Sequence, residues 1–178
     1  MVRGDATPKR RMIWRAVIAS AATLGAAGAD ARGLAVTDLR TIERAMIEAL
    51  GPGFIGRAEP SRIDMICSDC AGGPIVGVQM GAQNDGTEQR VRSGRTTIED
   101  LERLCRASSP ECRISALDVA PAVGWVSSYP IGENAGATAV VIQDGGLLTI
   151  RSLATDADAA RRNVDRLMPL VRERVIER

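Results

Sequence analysis

The stretch VVIQDGGLLTI, Val140 to Ile150, decides the fold. An apolar, β-branched run reaches Gln143, Asp144-Gly145-Gly146 interrupts it, and a second apolar run starts at Leu147. Asp-Gly and Gly-Gly take positive φ cheaply, which tight hairpin turns require, so the stretch reads as a β-hairpin. Downstream, Thr155 with Asp158 three residues on marks a helix start, and Ala160, Val164, Leu167, Val171 and Val175 recur as one apolar stripe. Pro169 lies inside that helix and predicts a kink near Arg166. A hairpin with an apolar face and a helix with an apolar stripe can bury each other.

Upstream of the hairpin, Arg113–Val119, Val123–Tyr129 and Ala137–Gln143 read as strands, as do Ile63–Cys67 and Ile75–Met80. Gln83-Asn84-Asp85-Gly86 is turn chemistry, with Glu88–Val91 returning as a strand. Thr96 and Glu99 form a capping box for a helix to about Ala107, with Ile98, Leu101, Leu104 and Cys105 on one side and Ser108-Ser109-Pro110 as its stop. Another helix covers Thr37 to Leu50, with Leu39, Ile42, Met46, Ala49 and Leu50 at helical spacing, and Gly51-Pro52 ends it. Gly51-Pro52-Gly53-Phe54-Ile55-Gly56 matches G-x-G-x-x-G, but it follows a helix and opens none, so it is a turn and not a dinucleotide loop.

This order of elements is α+β: an antiparallel sheet of five to seven strands with helices packed on it, including a long C-terminal helix. A final hairpin followed by a long C-terminal helix resembles the small secreted α/β/α domains of the PsbP/Mog1 type. The resemblance covers roughly the last 60 residues, rests on element order, and implies a fold and not a function.

The N-terminal residues read differently. Arg3, Lys9, Arg10, Arg11 and Arg15 make a basic start, residues 16–28 are apolar and uncharged, and Ala27-Gly28-Ala29 supplies small residues before Asp30. That is the pattern of a secretory signal peptide over residues 1–29, and the apolar run is too short to span a bilayer. Arg10-Arg11 followed by Met12-Ile13 fits a twin-arginine signal, although Lys9 stands where Ser or Thr is usual; an ordinary Sec leader fits equally. Either route leads to a periplasmic or secreted location. Residues 30–178 then form a single α+β domain of about 150 residues, long enough to fold without a metal or a disulfide.

That remainder is weakly acidic, with 21 acidic against 18 basic residues, which argues against nucleic acid as a partner, since binding a phosphate backbone needs a basic surface. The chain has no histidine, and its one lysine, Lys9, belongs to the leader. Ser-His-Asp and Cys-His machinery, imidazole metal ligation, Schiff-base chemistry and a phosphate loop are therefore excluded. The aromatics beyond the leader are Phe54, Trp125 and Tyr129, too few for a base-stacking platform. Catalysis would fall to carboxylates, hydroxyls, cysteines or arginines, so an enzyme is the weaker reading.

The four cysteines are Cys67, Cys70, Cys105 and Cys112. An even number in an exported chain points to disulfides, with local pairs Cys67–Cys70 across a tight turn and Cys105–Cys112 clipping a helix end to a strand start among the three possible pairings. Three other readings of the C-x-x-C differ in what they require. Dithiol redox chemistry wants the first cysteine at a helix N-terminus, whereas Cys70 is followed by Ala71-Gly72-Gly73-Pro74. Haem attachment needs histidine at position 71, which is alanine. A thiolate metal site would take Cys67 and Cys70 as half of its ligands, but the spacing of the second pair is loose.

Trp125, Ser127 and Tyr129 share a strand face ahead of the loop Pro130–Gly136 and form a candidate ligand or partner surface, although a lone tryptophan serves more often as core. Arg90 and Arg92 are candidates for an anionic ligand, or the charged side of an edge strand. Asp64, Asp69, Asp85, Glu88, Asp118, Glu133 and Asp144 are scattered over strand ends and turns without a calcium-loop pattern. The reading that follows is an exported, non-catalytic accessory or binding protein stabilised by disulfides. It carries no cofactor, and its partner is another periplasmic protein or a small ligand. A thiol-based redox or metal-binding protein using Cys67 and Cys70 is the alternative, and a carboxylate-dependent hydrolase is the third. Replacing both Cys67 and Cys70 by serine is expected to cost about 2–4 kcal/mol in denaturant unfolding without abolishing a catalytic activity.

Overall fold

The structure, a computed structural model, describes residues 33–176, so the expected leader and its cleavage site lie outside the described residues. Its elements are α1 (Glu43–Leu50), β1 (Ile55–Glu59), β2 (Arg62–Ile66), β3 (Ile75–Ala82), α2 (Thr87–Arg92), α3 (Ile98–Ser108), β4 (Arg113–Ala116), β5 (Val123–Ile131), β6 (Asn134–Gln143), β7 (Gly146–Ala154) and α4 (Ala157–Leu170). The strands form one sheet in the order β1-β2-β3-β7-β6-β5-β4, and every pairing is antiparallel. The α+β class expected from the sequence is the class observed.

The hairpin that decided the fold is at the centre of the sheet. Gln143 pairs with Gly146, while Asp144 (φ 48°) and Gly145 (φ 81°) make the turn between them. Two successive positive φ values match the right-handed twist of the flanking strands. Strand β7 then pairs with β3 on its other side, joining the N-terminal meander to the C-terminal one.

One face of the sheet carries the core. Ala137, Ala139 and Val141 of β6 and Leu148 and Ile150 of β7 point to it, and all are fully buried. Above them α4 lays down its stripe, Ala160, Val164 and Leu167, continued by Val171 and Val175. The alanines leave room for the helix to approach β6 closely. Helix α1 packs beside α4 through Met46 and Leu50. Arg166 of α4 donates a hydrogen bond to the Leu50 carbonyl (2.8 Å), satisfying the C-terminal end of α1. One polar pair is buried in this layer: the Asn163 amide donates to the Ser152 hydroxyl at 3.1 Å, tying α4 to β7 at a single register.

Local chemistry moved several boundaries. The N-terminal helix is a short 3-10 turn, Leu39–Thr41, capped by Asp38, followed by α1. Strand β1 falls where only the end of a turn was expected; as an edge strand with mostly exposed residues it lacks alternating hydrophobicity. Residues 88–91 are helical, within α2, and not a returning strand, because the Asp85 carboxylate accepts from both the Thr87 amide and hydroxyl (2.9 Å each) and starts a helix. The capping box lies one residue later than expected, on Thr97 and Asp100, because the Thr96 amide already donates to Arg90 at the end of α2 (3.0 Å). Asp156 rather than Thr155 caps α4, accepting from the Ala159 amide at 2.7 Å. Helix α4 runs through Pro169 and becomes a π turn, Val171–Val175, two residues after the missing amide.

Asn163→Leu leaves the buried Ser152 hydroxyl without its partner and should cost about 1–3 kcal/mol in urea unfolding. Adding Ser152→Ala should recover part of that loss, which distinguishes an orphaned polar group from a packing error.

Candidate functional site on the open sheet face

Side chains alternate along each strand, so the residues not facing α1 and α4 form a second face. Helices α2 and α3 pack beside β4 and β5. The remaining part of this face can be read from the strand register as rows running across the sheet.

The row nearest the loop Cys67–Pro74 is Ile55, Ile66, Ile75, Leu153, Gly136 and Tyr129. Ile55, Ile66, Ile75 and Leu153 are 40–66% exposed. Gly136 has no side chain, and its place is taken from the neighbouring strand: a Cβ there would lie 2.8 Å from the Tyr129 ring and 2.9 Å from the Ile131 Cδ1. Ile131 is itself 43% exposed and completes the stripe. Among the described residues the one other large apolar side chain so exposed is Leu104 on α3. A contiguous stripe is unlike isolated exposed leucines, and patches of this kind mark interaction sites.

The next row is Arg57, Asp64, Gly77, Arg151, Thr138 and Ser127, and the third is Glu59, Arg62, Gln79, Thr149, Val140 and Trp125. Arg62 pairs with Asp64 across the surface of β2 (2.7 Å). Gly77 leaves a shallow depression bounded by Arg62, Asp64, Gln79, Thr149 and Arg151. Arg151 and Arg57 are exposed and take part in no ion pair among the described residues.

The candidates Trp125, Ser127 and Tyr129 do share a face, and it is this open one. Trp125 is half-buried here, while Gly124 and Val126 on either side of it along β5 face the core. Thr138 organises the group: its hydroxyl lies 2.8 Å from the Tyr129 Oη, and its carbonyl accepts from the Ser127 hydroxyl at 3.3 Å. Arg90 and Arg92 sit on α2, away from a strand, and both guanidinium groups are engaged. Arg90 donates to the Asp85 carbonyl (2.9 Å) and the Thr87 hydroxyl (2.8 Å); Arg92 donates to the Pro121 carbonyl (2.8 Å) and the Glu88 carboxylate (2.7 Å). Their work is to hold α2 in place.

The isoleucines were missed by sequence reasoning, although a signal existed. Met65-Ile66 and Ile75-Val76 are adjacent apolar pairs, and a two-residue period must turn one member of each pair outward.

The cysteines pair as Cys67–Cys70 and Cys105–Cys112, with Cα–Cα distances of 5.4 and 5.8 Å, inside the range disulfides span. The first closes the loop after β2, where the Cys67 amide donates to the Pro74 carbonyl and the Gly53 turn packs against the sulfurs. The second joins the C-terminal turn of α3 to the start of β4. Strands β2 and β4 are five positions apart in the sheet, about 24 Å at the usual strand spacing, so the four sulfurs do not converge on one metal. Cys67 is fully buried at a strand end, with no helix opening behind it to lower a thiol pKa.

The carboxylates likewise serve the fold. Glu88 accepts from the amides of Asp144 and Gly145 (3.0 Å each), locking the central hairpin turn to α2. Burial pushes the Glu88 carboxyl up, but the Arg92 guanidinium and the two turn amides outweigh it and hold the group below its ordinary range. Asp85 is lowered to about 2 by the Thr87 hydroxyl and amide and by Gln83. Both folded-state values lie below the unfolded ones, so their stabilisation is complete above the ordinary carboxylate range and is lost as pH falls toward about 2. Thermal melting from pH 7 to pH 2.5 should show an acid limb that is shallower in Glu88→Gln, which should also melt lower at pH 7.

No protein-family model matches the chain, and no curated protein matches it. Among solved structures, it is similar to the solution structure of cyanobacterial PsbP (CyanoP) from Synechocystis sp. PCC 6803, with 17% identity over 67% of this chain and 77% of that one and a TM-score of 0.38.

Proposed function

We propose that this protein is an exported, disulfide-stapled accessory or binding protein without catalytic activity, acting in the periplasm or outside the cell by engaging a further polypeptide chain through the open face of its sheet. The observation that carries this reading is the stripe formed by Ile55, Ile66, Ile75, Leu153 and Ile131, apolar side chains from five strands left in contact with water. Exposing such a stripe costs solvation free energy that a partner would recover. On this face the Asp64 carboxylate is engaged by Arg62 in an ion pair. Among the described residues no helix is long and apolar enough to cross a membrane, and no group of three or more Cys, Asp or Glu side chains is placed to hold a metal.

The alternative, thiol redox or metal chemistry at Cys67 and Cys70, makes a different demand on the same protein. A reactive dithiol, or a bound soft metal by elemental analysis, would displace the binding reading. The direct test is a photo-reactive phenylalanine analogue at Ile66 in the full chain, irradiated in cells. The expected result is a cross-link to a polypeptide in the exported fraction, absent when the analogue stands at the exposed, apolar-poor position Arg44. No cross-link from Ile66 would overturn the proposal.

A further inference from the structure

We infer that the polypeptide on this face is a second copy of the same chain, related by a two-fold axis running along β3. This rests on the binding reading above and specifies its occupant. The support is the symmetry of the rows about β3. Strands β2 and β7 flank β3, so a rotation about β3 places each over the other strand of a facing copy. In the apolar row, Ile66 and Leu153 stand on either side of Ile75. The rotation puts Ile66 over the partner subunit's Leu153, and Ile75 over its own counterpart on the axis. In the next row Asp64 and Arg151 stand on either side of Gly77. The same rotation brings each Asp64 over an Arg151 of the facing copy, twice per dimer, while Gly77 lets the two sheets approach at the axis.

An isologous interface needs a surface complementary to itself, apolar on apolar and acid on base under one operation, and these two rows satisfy both conditions together. Arg151 is exposed and without an ion pair among the described residues, whereas Asp64 pairs with Arg62 through Oδ2 and a carboxylate has accepting capacity left beyond one such contact. Packing two sheets with their strands nearly aligned is a standard arrangement. The face from β1 to β6 is about 20 Å across and three rows deep, on the order of 500 Å² per chain, the lower end of specific interfaces, which suits a reversible dimer.

Sedimentation equilibrium of the purified native protein from about 1 to 200 µM should show a monomer–dimer equilibrium. Arg151→Asp and Asp64→Arg should each weaken it at least about tenfold, and the double charge exchange, Asp64→Arg with Arg151→Asp, should restore most of it. Ile75→Asp should abolish it. Circular dichroism melting checks that each variant is folded, and the double exchange keeps the test decisive if a single variant is not. A monomer at every concentration, or a dimer indifferent to these changes, overturns the inference. Cross-linking from Ile66 separates that failure from failure of the binding reading: a product of twice the chain mass supports the dimer. A product with a different polypeptide overturns the dimer and leaves the binding reading standing, and no product overturns both.

Discussion

The structure depends on the contact between α4 and the alanine positions of β6. Ala137 and Ala139 sit at the middle of the sheet with nothing beyond Cβ, so α4, with Ala160 and Val164 buried on its inner side, can pack close against β6. Larger residues would lift the helix off the sheet, and the neighbouring contacts of Leu167, Val171 and α1 would open with it. The buried Asn163–Ser152 hydrogen bond fixes where along β7 the helix stops sliding. Apolar packing provides the stability of this layer, and the single polar pair provides its register.

The chain completes one face of its sheet with α1 and α4 and gathers its shorter helices at the β4–β5 side. The polar chemistry follows that division. Glu88 and Asp85 tie α2 to the central turn and to its own start. The Cys105–Cys112 bridge fastens α3 to the end strand, and the Cys67–Cys70 bridge closes the loop beside the exposed isoleucines. Acids, arginines and sulfurs that suggest chemistry when seen in isolation are used here to hold short elements that bury little apolar surface of their own; α3 has no buried residue at all. What remains unused by the fold is the apolar stripe and the Asp64–Gly77–Arg151 row beside it, and both lie on the same uncovered face.

The parts legible in the sequence were those governed by neighbours along the chain. The Asp144-Gly145 turn, the stripe of α4 and the alternation in β3 and β5 express local backbone preference and a simple period, and each appears where the residues place it. Errors clustered where a non-local or very short-range competitor intervened. Thr96 lost its capping role because its amide donates to a carbonyl of the preceding helix, and β1 owes its extended form to pairing with β2 and carries almost no apolar signal. Trp125, Ser127 and Tyr129 share a face as their spacing requires, but period two defines two faces without saying which one the helices cover, so only the sheet's packing places them on the open one.

The sequence by itself determined the α+β class, the central hairpin with its long C-terminal helix, and the exclusion of histidine-dependent chemistry, because these follow from composition and from residues within a few positions of one another. Tertiary structure alone decided that Ile55, Ile66, Ile75 and Leu153 form one row, that Asp64 and Arg151 flank Gly77 symmetrically, and that the cysteine pairs stand far apart. Those are properties of strand order and register, set by which strands bury their apolar faces together, and residues distant in the chain meet only after that burial has occurred.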